Sequence, residues 1–410
     1  MGMTESPSDP SKPSVATRRE DTGSRLVFVD VLRVALIILV IAHHAGQAYG
    51  PTGGEWPVDD PANSPWLGPF FAVNAAFFMG LLFLLVGYFV PRSFDRKGSG
   101  RFLKDRWMRI GVPLAFFVLL VQVPLVYLNE DPRLSLSAFT QSLYDSGLQD
   151  AYIHLWFLGH LLLYSVVYVV WRLIADRRPP RSPRTWPVPS HAAIISFIVV
   201  LALITWVARW WYSIDEWIPL FNVLATEPAH LPQYVLLFTL GLLAYRGDWL
   251  RQLPTTTGLI WLGVGLAAAA VVYVMLLEFP GVWDDVVALG GRSWQSLLYS
   301  TWEAVICAGL SVGLIVLFRQ VFRRTNRFLA ALAVASLAAY ILHWLIVVGI
   351  QSAIVDVDLL ALVKFAFVAS LGAVLAFGLA YLLLKVPGVR VILGSAPRKP
   401  NQSTHHDAST

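Results

Sequence analysis

The sequence predicts an all-α membrane protein, a bundle of about ten transmembrane helices with both termini cytoplasmic. Three observations carry that expectation. Hydrophobic residues make up 56% of the 410 and charged residues only 14%, and the mean hydropathy is +0.61, far from the usage of soluble domains. Apolar segments of roughly twenty residues, the length a helix needs to cross hydrocarbon, recur along the chain. Lys and Arg avoid every second connection between those segments.

Taken in order, the segments run from about 26 to 48, 66 to 90, 107 to 128, 152 to 174, 191 to 211, 231 to 245, 257 to 277, 296 to 318, 328 to 351 and 359 to 385. The sixth is short. The N-terminal tail, the even-numbered connections and the C-terminal tail hold 26 of the 31 basic residues. The odd connections hold Arg133, Arg209 and Arg292, and Arg33 and Lys364 lie within spans. Acidic residues lean the other way, with Glu55, Asp59, Asp60, Glu130, Asp131, Asp284 and Asp285 among those in the odd connections. Because positive loops are retained on the cytoplasmic side, this pattern predicts ten crossings of the cell membrane.

Residues 1–24 and 394–410, polar and rich in Ser, Pro and charge, read as disordered cytoplasmic tails around a membrane domain at 25–393. The net charge of +5 is accounted for by short loops beside lipid, so no nucleic-acid partner is expected. A single cysteine, Cys307, excludes an intramolecular disulfide and a thiolate metal cluster. It reads as a buried small residue, although it lies one helical turn from Glu303. No metal is expected.

The first span, DVLRVALIILVIAHHA from Asp30 to Ala45, carries ionisable groups at both ends. Such groups are costly in lipid, and they mark cavities and reaction centres. At a rise of about 1.5 Å per residue, His44 lies roughly 9 Å below the outer end of its helix and Glu303 about 10 Å below the outer end of the eighth. His160 and His343 come out at roughly 12 Å. Four titratable groups therefore share one layer in the outer half. An isolated intramembrane His is ordinarily a neutral ring bonded to a neighbouring helix; coincidence at one depth points instead to a site, with a Glu and His pair as general-base equipment. His43, next to His44, belongs to the same candidate set.

On the opposite side, the connection PRSFDRKGSGRFLKDRWMRIGVP is the most basic segment. Positive-inside bias explains its charge. It does not explain Arg106 and Arg109, three residues apart on one helical face, where they suit phosphates or carboxylates. Trp56, Trp66, Trp210, Trp211, Trp217, Trp283 and Trp294 fall in the external loops, as in an interfacial belt, and some are placed to stack on a sugar.

In this order the motifs resemble the integral-membrane acyltransferase family 3, over nearly the whole chain. Asp30, Leu32, Arg33, His44 and Ala45 are similar to the family's opening Asp, Leu-Arg and His-Ala. GYFVPRS and RFLKDRWMRIGVP resemble its Gly-Tyr-Phe turn and Arg-x-x-Arg element, with Val86 where Ser is common. HLWFLGHLLLY resembles its Leu-Trp-Phe-Leu segment, with His160 where an acidic residue is frequent, and SLAAYILHW its late Ser, Tyr-Leu and His signature at Ser336, Tyr340 and His343.

The resemblance implies transfer of an acyl group, acetyl or succinyl, from cytoplasmic acyl-CoA as co-substrate to a carbohydrate, lipid-linked sugar or small-molecule acceptor beyond the outer face. It implies a catalytic His44, with Arg106 and Arg109 at the CoA end, to which Arg33 is added. Glu303 and His343 complete the expected catalytic set, Glu303 orienting the His44 ring. Trp156, Tyr340, His160 and His43 are the candidates for the substrate and the oxyanion. The main competing class is a proton-coupled secondary transporter using the buried His and Glu cluster, against which stands the lack of an inverted repeat.

Overall fold

The structure, a computed structural model, describes residues 26–51, 56–129, 135–175, 186–214, 216–278 and 290–394. The two expected tails lie outside the described residues apart from Gly394, as do Glu55, Glu130, Asp131, Arg133, Trp283, Asp284 and Asp285.

Among the described residues, nine helices are long and apolar enough to cross a membrane. The first is α1 (Val27–Gly46). The second is broken into α2 (Leu67–Ala75) and α3 (Phe78–Lys97), the latter stopped by Gly98 at φ 72°, where a side chain would be strained. The third runs through α4 (Ser99–Arg106), a π-helical turn at Trp107–Gly111, α5 (Val112–Phe117), a second π turn at Val118–Gln122 and α6 (Val123–Asn129). After α7 (Leu136–Ser146) and α8 (Gln149–Tyr152) come the fourth and fifth spans, whose main helices are α9 (Trp156–Ala175) and α10 (His191–Ala208). A small hairpin, β1 (Ile218–Leu220) and β2 (Leu224–Thr226), pairs Pro219 with Ala225.

The expected sixth segment is a helix, α11 (Leu231–Gly247), whose 17 residues make it the shortest of the series. It is about 25 Å long and ends at Asp248 in the left-handed region. The short α12 (Trp249–Gln252) leads into α13 (Thr255–Glu278), and α14 (Trp294–Val321), α15 (Arg327–Ile354) and α16 (Ala361–Leu383) supply the last three spans before α17 (Pro387–Ile392). Side chains of Ser190, Ser293 and Asn326 accept from backbone N–H groups in the first turns of α10, α14 and α15, satisfying donors that a helix end leaves free.

Lipid gives helices no hydrophobic reason to associate, so close backbone contact at small residues does that work. Gly87 and Gly241 bring α3 and α11 together: a Cβ on Gly241 would stand 2.3 Å from the Leu84 carbonyl oxygen. Gly265 and Gly309 do the same for α13 and α14. Helices α10, α13 and α16 turn Leu203, Val271 and Leu375 outward, as a lipid-facing wall requires. Helices α1 and α15 run parallel at the centre. Arg33 donates to Ser336 Oγ (3.2 Å) and the Ala333 carbonyl (3.0 Å) at one end, and Gln351 donates to the Ala45 carbonyl (3.1 Å) at the other.

Candidate active site

The parallel course of α1 and α15 brings His44 and His343 together. Nδ1 of His44 lies 2.8 Å from Nε2 of His343, and the two rings meet edge to edge with centroids 5.0 Å apart and planes 28° from parallel. The protons follow from the partners. His343 Nδ1 faces the Tyr340 carbonyl, which only accepts, so Nδ1 carries the hydrogen. In a neutral His343 Nε2 is then bare and accepts from His44 Nδ1–H. That leaves the lone pair of His44 on Nε2, which makes no hydrogen bond to a described residue. A ring held by its far nitrogen and bare at the near one is the arrangement of a general base or nucleophile.

A third ring, His154, stands edge-on to His343 at 4.7 Å and donates from Nε2 to the Ile341 carbonyl at 3.1 Å. The Tyr340 hydroxyl donates to the carbonyl of His154, in the turn just before α9, and is spent on that backbone contact. Trp56 stacks beside the His44 ring at 5.5 Å and 11° and donates to Gln351 Oε1 at 2.8 Å.

Glu303 does not join His44. Its carboxylate is held by Arg209, at the end of α10, and by His230 Nε2 at 3.0 Å, just before α11. Arg209 also donates to Ser300 at 3.0 Å. His230 Nδ1 meets Glu227, and the Tyr234 hydroxyl donates to the other oxygen of Glu227 at 3.2 Å. With a carboxylate oxygen against each ring nitrogen, His230 donates twice and is an imidazolium. Burial opposes that charge, yet Glu227 and Glu303 raise the pKa of His230 to about 10. Two cations and two carboxylates thus close a neutral, buried network, the condition under which charges survive in low dielectric.

His43 lies between the two clusters. Its ring is 5.8 Å from that of His44 and packs against Phe71 and Phe78; its Nδ1 is buried without a partner, within the field of Glu227. His160 Nε2 donates to the Thr226 hydroxyl at 3.2 Å, which in turn donates to the Leu224 carbonyl. Trp156 packs on Tyr234 at 5.1 Å and Trp217 at 5.5 Å. Both belong to the aromatic wall beside the charged network.

Toward the opposite face, Arg33 is engaged by Asp30 (3.2 Å) and by α15. Arg109 is exposed and donates to Asp105 at 3.0 Å, which Lys97 also reaches at 2.7 Å. Arg106 lies over the Phe102 ring at 5.0 Å, and its Nε is buried without a partner. The π-helical turn that begins directly after Arg106 widens the helix there, a local irregularity that recurs at functional sites. A cavity of about 380 Å³ opens at the start of α1, lined by Asp30, Arg92, Asp248, Arg251 and the rings of Tyr88 and Tyr245.

Sequence reasoning missed Arg209, Glu227, His230, His154 and the Trp56 to Gln351 contact. One signal was present: Arg209 and Lys364 break the positive-inside pattern, and both are buried ion-pair partners, Arg209 of Glu303 and Lys364 of Asp60 at 2.8 Å. Cys307 is buried below Glu303 as a small residue.

The acyltransferase domain of acyltransferase family 3 matches residues 26–385. The chain is 27% identical over 335 residues to glucans biosynthesis protein C of Salmonella schwarzengrund, covering 78% of this chain and 81% of the relative. It is 26% identical over 335 residues to the protein of the same name in Salmonella typhimurium, with the same coverage. No solved structure matches it.

Proposed function

The chain belongs to the integral-membrane acyltransferase family 3, a multi-pass membrane O-acyltransferase, and on that premise we propose that it moves an acetyl or succinyl group from cytoplasmic acyl-CoA to a glucan hydroxyl at the outer face of the cell membrane. The name of the relatives, glucans biosynthesis protein C, supports a glucan as acceptor. The observation that carries the mechanism is the His44 to His343 hydrogen bond with its Tyr340 carbonyl anchor, which leaves His44 Nε2 bare.

In this reading His44 Nε2 takes the proton of the acceptor hydroxyl as that oxygen bonds to the thioester carbon. The tetrahedral intermediate collapses with cleavage of the C–S bond, and His44 returns the proton to the departing CoA thiolate. His343 holds the ring and shares the charge of the imidazolium. Arg106 and Arg109 bind the CoA phosphates at the opposite, cytoplasmic mouth, with both chain termini on that side. About eleven residues of α1 separate Arg33 from His44, roughly 16 Å, a span that an extended pantetheine arm bridges. The Arg209, Glu303, His230 and Glu227 network is internally neutralised, ties α10 and α11 to α14, and leaves proton transfer to His44.

The test uses purified protein with acetyl-CoA or succinyl-CoA and gluco-oligosaccharides, read by mass spectrometry. Acylated oligosaccharide is the expected product, and His44→Ala, inserted and monodisperse, abolishes it. Wild-type product from His44→Ala would end this assignment. A proton-coupled transporter would yield no acylated sugar at all.

A further inference from the structure

A transferase working at a bilayer surface competes with water, which is present in far greater concentration than any acceptor. A base at His44 that activates an acceptor hydroxyl activates water as well, and the acyl group is lost to hydrolysis unless something excludes water from the imidazole. The described residue standing there is Trp56. Its indole stacks beside the His44 ring with a lateral offset, 5.5 Å between centroids and 11° between planes, and meets the Trp344 ring edge to face at 6.4 Å.

That position is built. The indole N–H donates to Gln351 Oε1 at 2.8 Å, and the same amide donates to the Ala45 carbonyl at 3.1 Å, at the end of the helix that carries His44. Gln351 is wholly buried, so its amide is a fixed bracket between α1, α15 and the indole. Four residues beyond Trp56, Asp60 accepts two hydrogen bonds from Lys364 on α16, at 2.9 and 2.8 Å, in a pair closed to solvent. An ion pair this deep costs desolvation, and it pins the chain after Trp56 against the bundle.

Resting on the function proposed above, we infer that Trp56 is a positioning residue that sets transfer against hydrolysis: it shields the His44 ring from water and steers the acyl group to the acceptor hydroxyl. In the reaction it suppresses, a water oxygen bonds to the thioester carbon and the C–S bond breaks. The water proton passes through His44 to the CoA thiolate, giving free carboxylic acid and CoA.

The experiment measures CoA thiol released from acetyl-CoA by the full chain in nanodiscs, with and without gluco-oligosaccharides. Removing the shield in Trp56→Ala raises acceptor-independent CoA release roughly five-fold or more and lowers the share of acyl groups found on sugar. Trp56→Phe, which keeps an aromatic face but cannot donate to Gln351, gives a partition between those of the wild type and Trp56→Ala. Gln351→Ala frees the indole and moves the partition toward hydrolysis without touching Trp56, so it decides the matter if Trp56→Ala fails to fold. A merely structural role lowers transfer and release together; a proportional loss, or unchanged release in both Trp56→Ala and Gln351→Ala, overturns the inference. The double variant Trp56→Ala/His44→Ala returns release to background, and persistence of the elevated release also overturns it. Wild-type protein with no His44-dependent turnover of acetyl-CoA would instead sink the underlying function.

Discussion

Replacing His343 isolates the least redundant contact of the site. The side chain is fully buried, and its Nε2 receives the His44 Nδ1 hydrogen bond at 2.8 Å. In the proposed mechanism His44 becomes an imidazolium during transfer, so this bond becomes one to a charged donor, worth about 1.5–3 kcal/mol. At about 1.4 kcal/mol per decade, His343→Ala should therefore slow kcat by roughly 10- to 150-fold, since the bond strengthens only as charge develops. The KM for acyl-CoA should stay near its wild-type value. His343→Gln, whose carbonyl oxygen can accept from His44, should fall between the two. Initial rates of acylated oligosaccharide formation at saturating donor read these effects, with a thermal melt in the same detergent to account for the lost side-chain volume. A His343→Ala enzyme that melts near wild type and turns over at half its rate or better would refute the reasoning, as would a loss confined to KM.

Arg106 and Arg109 should separate. Arg106, with a buried unpartnered Nε, has the more to gain from a phosphate, so Arg106→Ala should raise the KM for acyl-CoA by about tenfold or more with little change in kcat. Arg109, already paired with Asp105, should give the smaller rise in the same kinetics. Glu303→Leu strands the buried Arg209 and His230 charges and should destabilise by about 3–5 kcal/mol, whereas Glu303→Leu/Arg209→Met recovers part of the loss. Thermal melts of the two single variants and the double variant measure that coupling, and strict additivity would contradict it.

The neutral buried network shows how depth and partnership differ as kinds of information. Counting residues along helices placed His44, His343 and Glu303 in one layer, and for His44 and His343 the layer became a contact. Glu303 shares the depth and faces another way, toward Arg209 and His230. Its azimuth depends on how α14 packs against α13 at Gly265 and Gly309, a relation between distant segments that no local spacing contains. Arg209 and Lys364 were visible as exceptions to the charge rule. Their partners were not, because each ion pair joins residues far apart in the chain: Arg209 with Glu303, Lys364 with Asp60.

What the amino-acid order determined alone was the class and the inventory. Apolar length, basic connections and the spacing of Asp30, Arg33, His44, Arg106, Arg109 and His343 sufficed for a helical membrane bundle of the acyltransferase 3 kind, because lipid imposes length and sign of charge one segment at a time. Only the tertiary structure decided which ring lends His44 its hydrogen-bond partner, which cations neutralise Glu303, and that an indole from the segment after α1 stacks beside the imidazole. Those are choices of rotation and approach between helices. They are made by the packing of small residues and by the cost of leaving a buried charge or polar group unpaired, and both act through space.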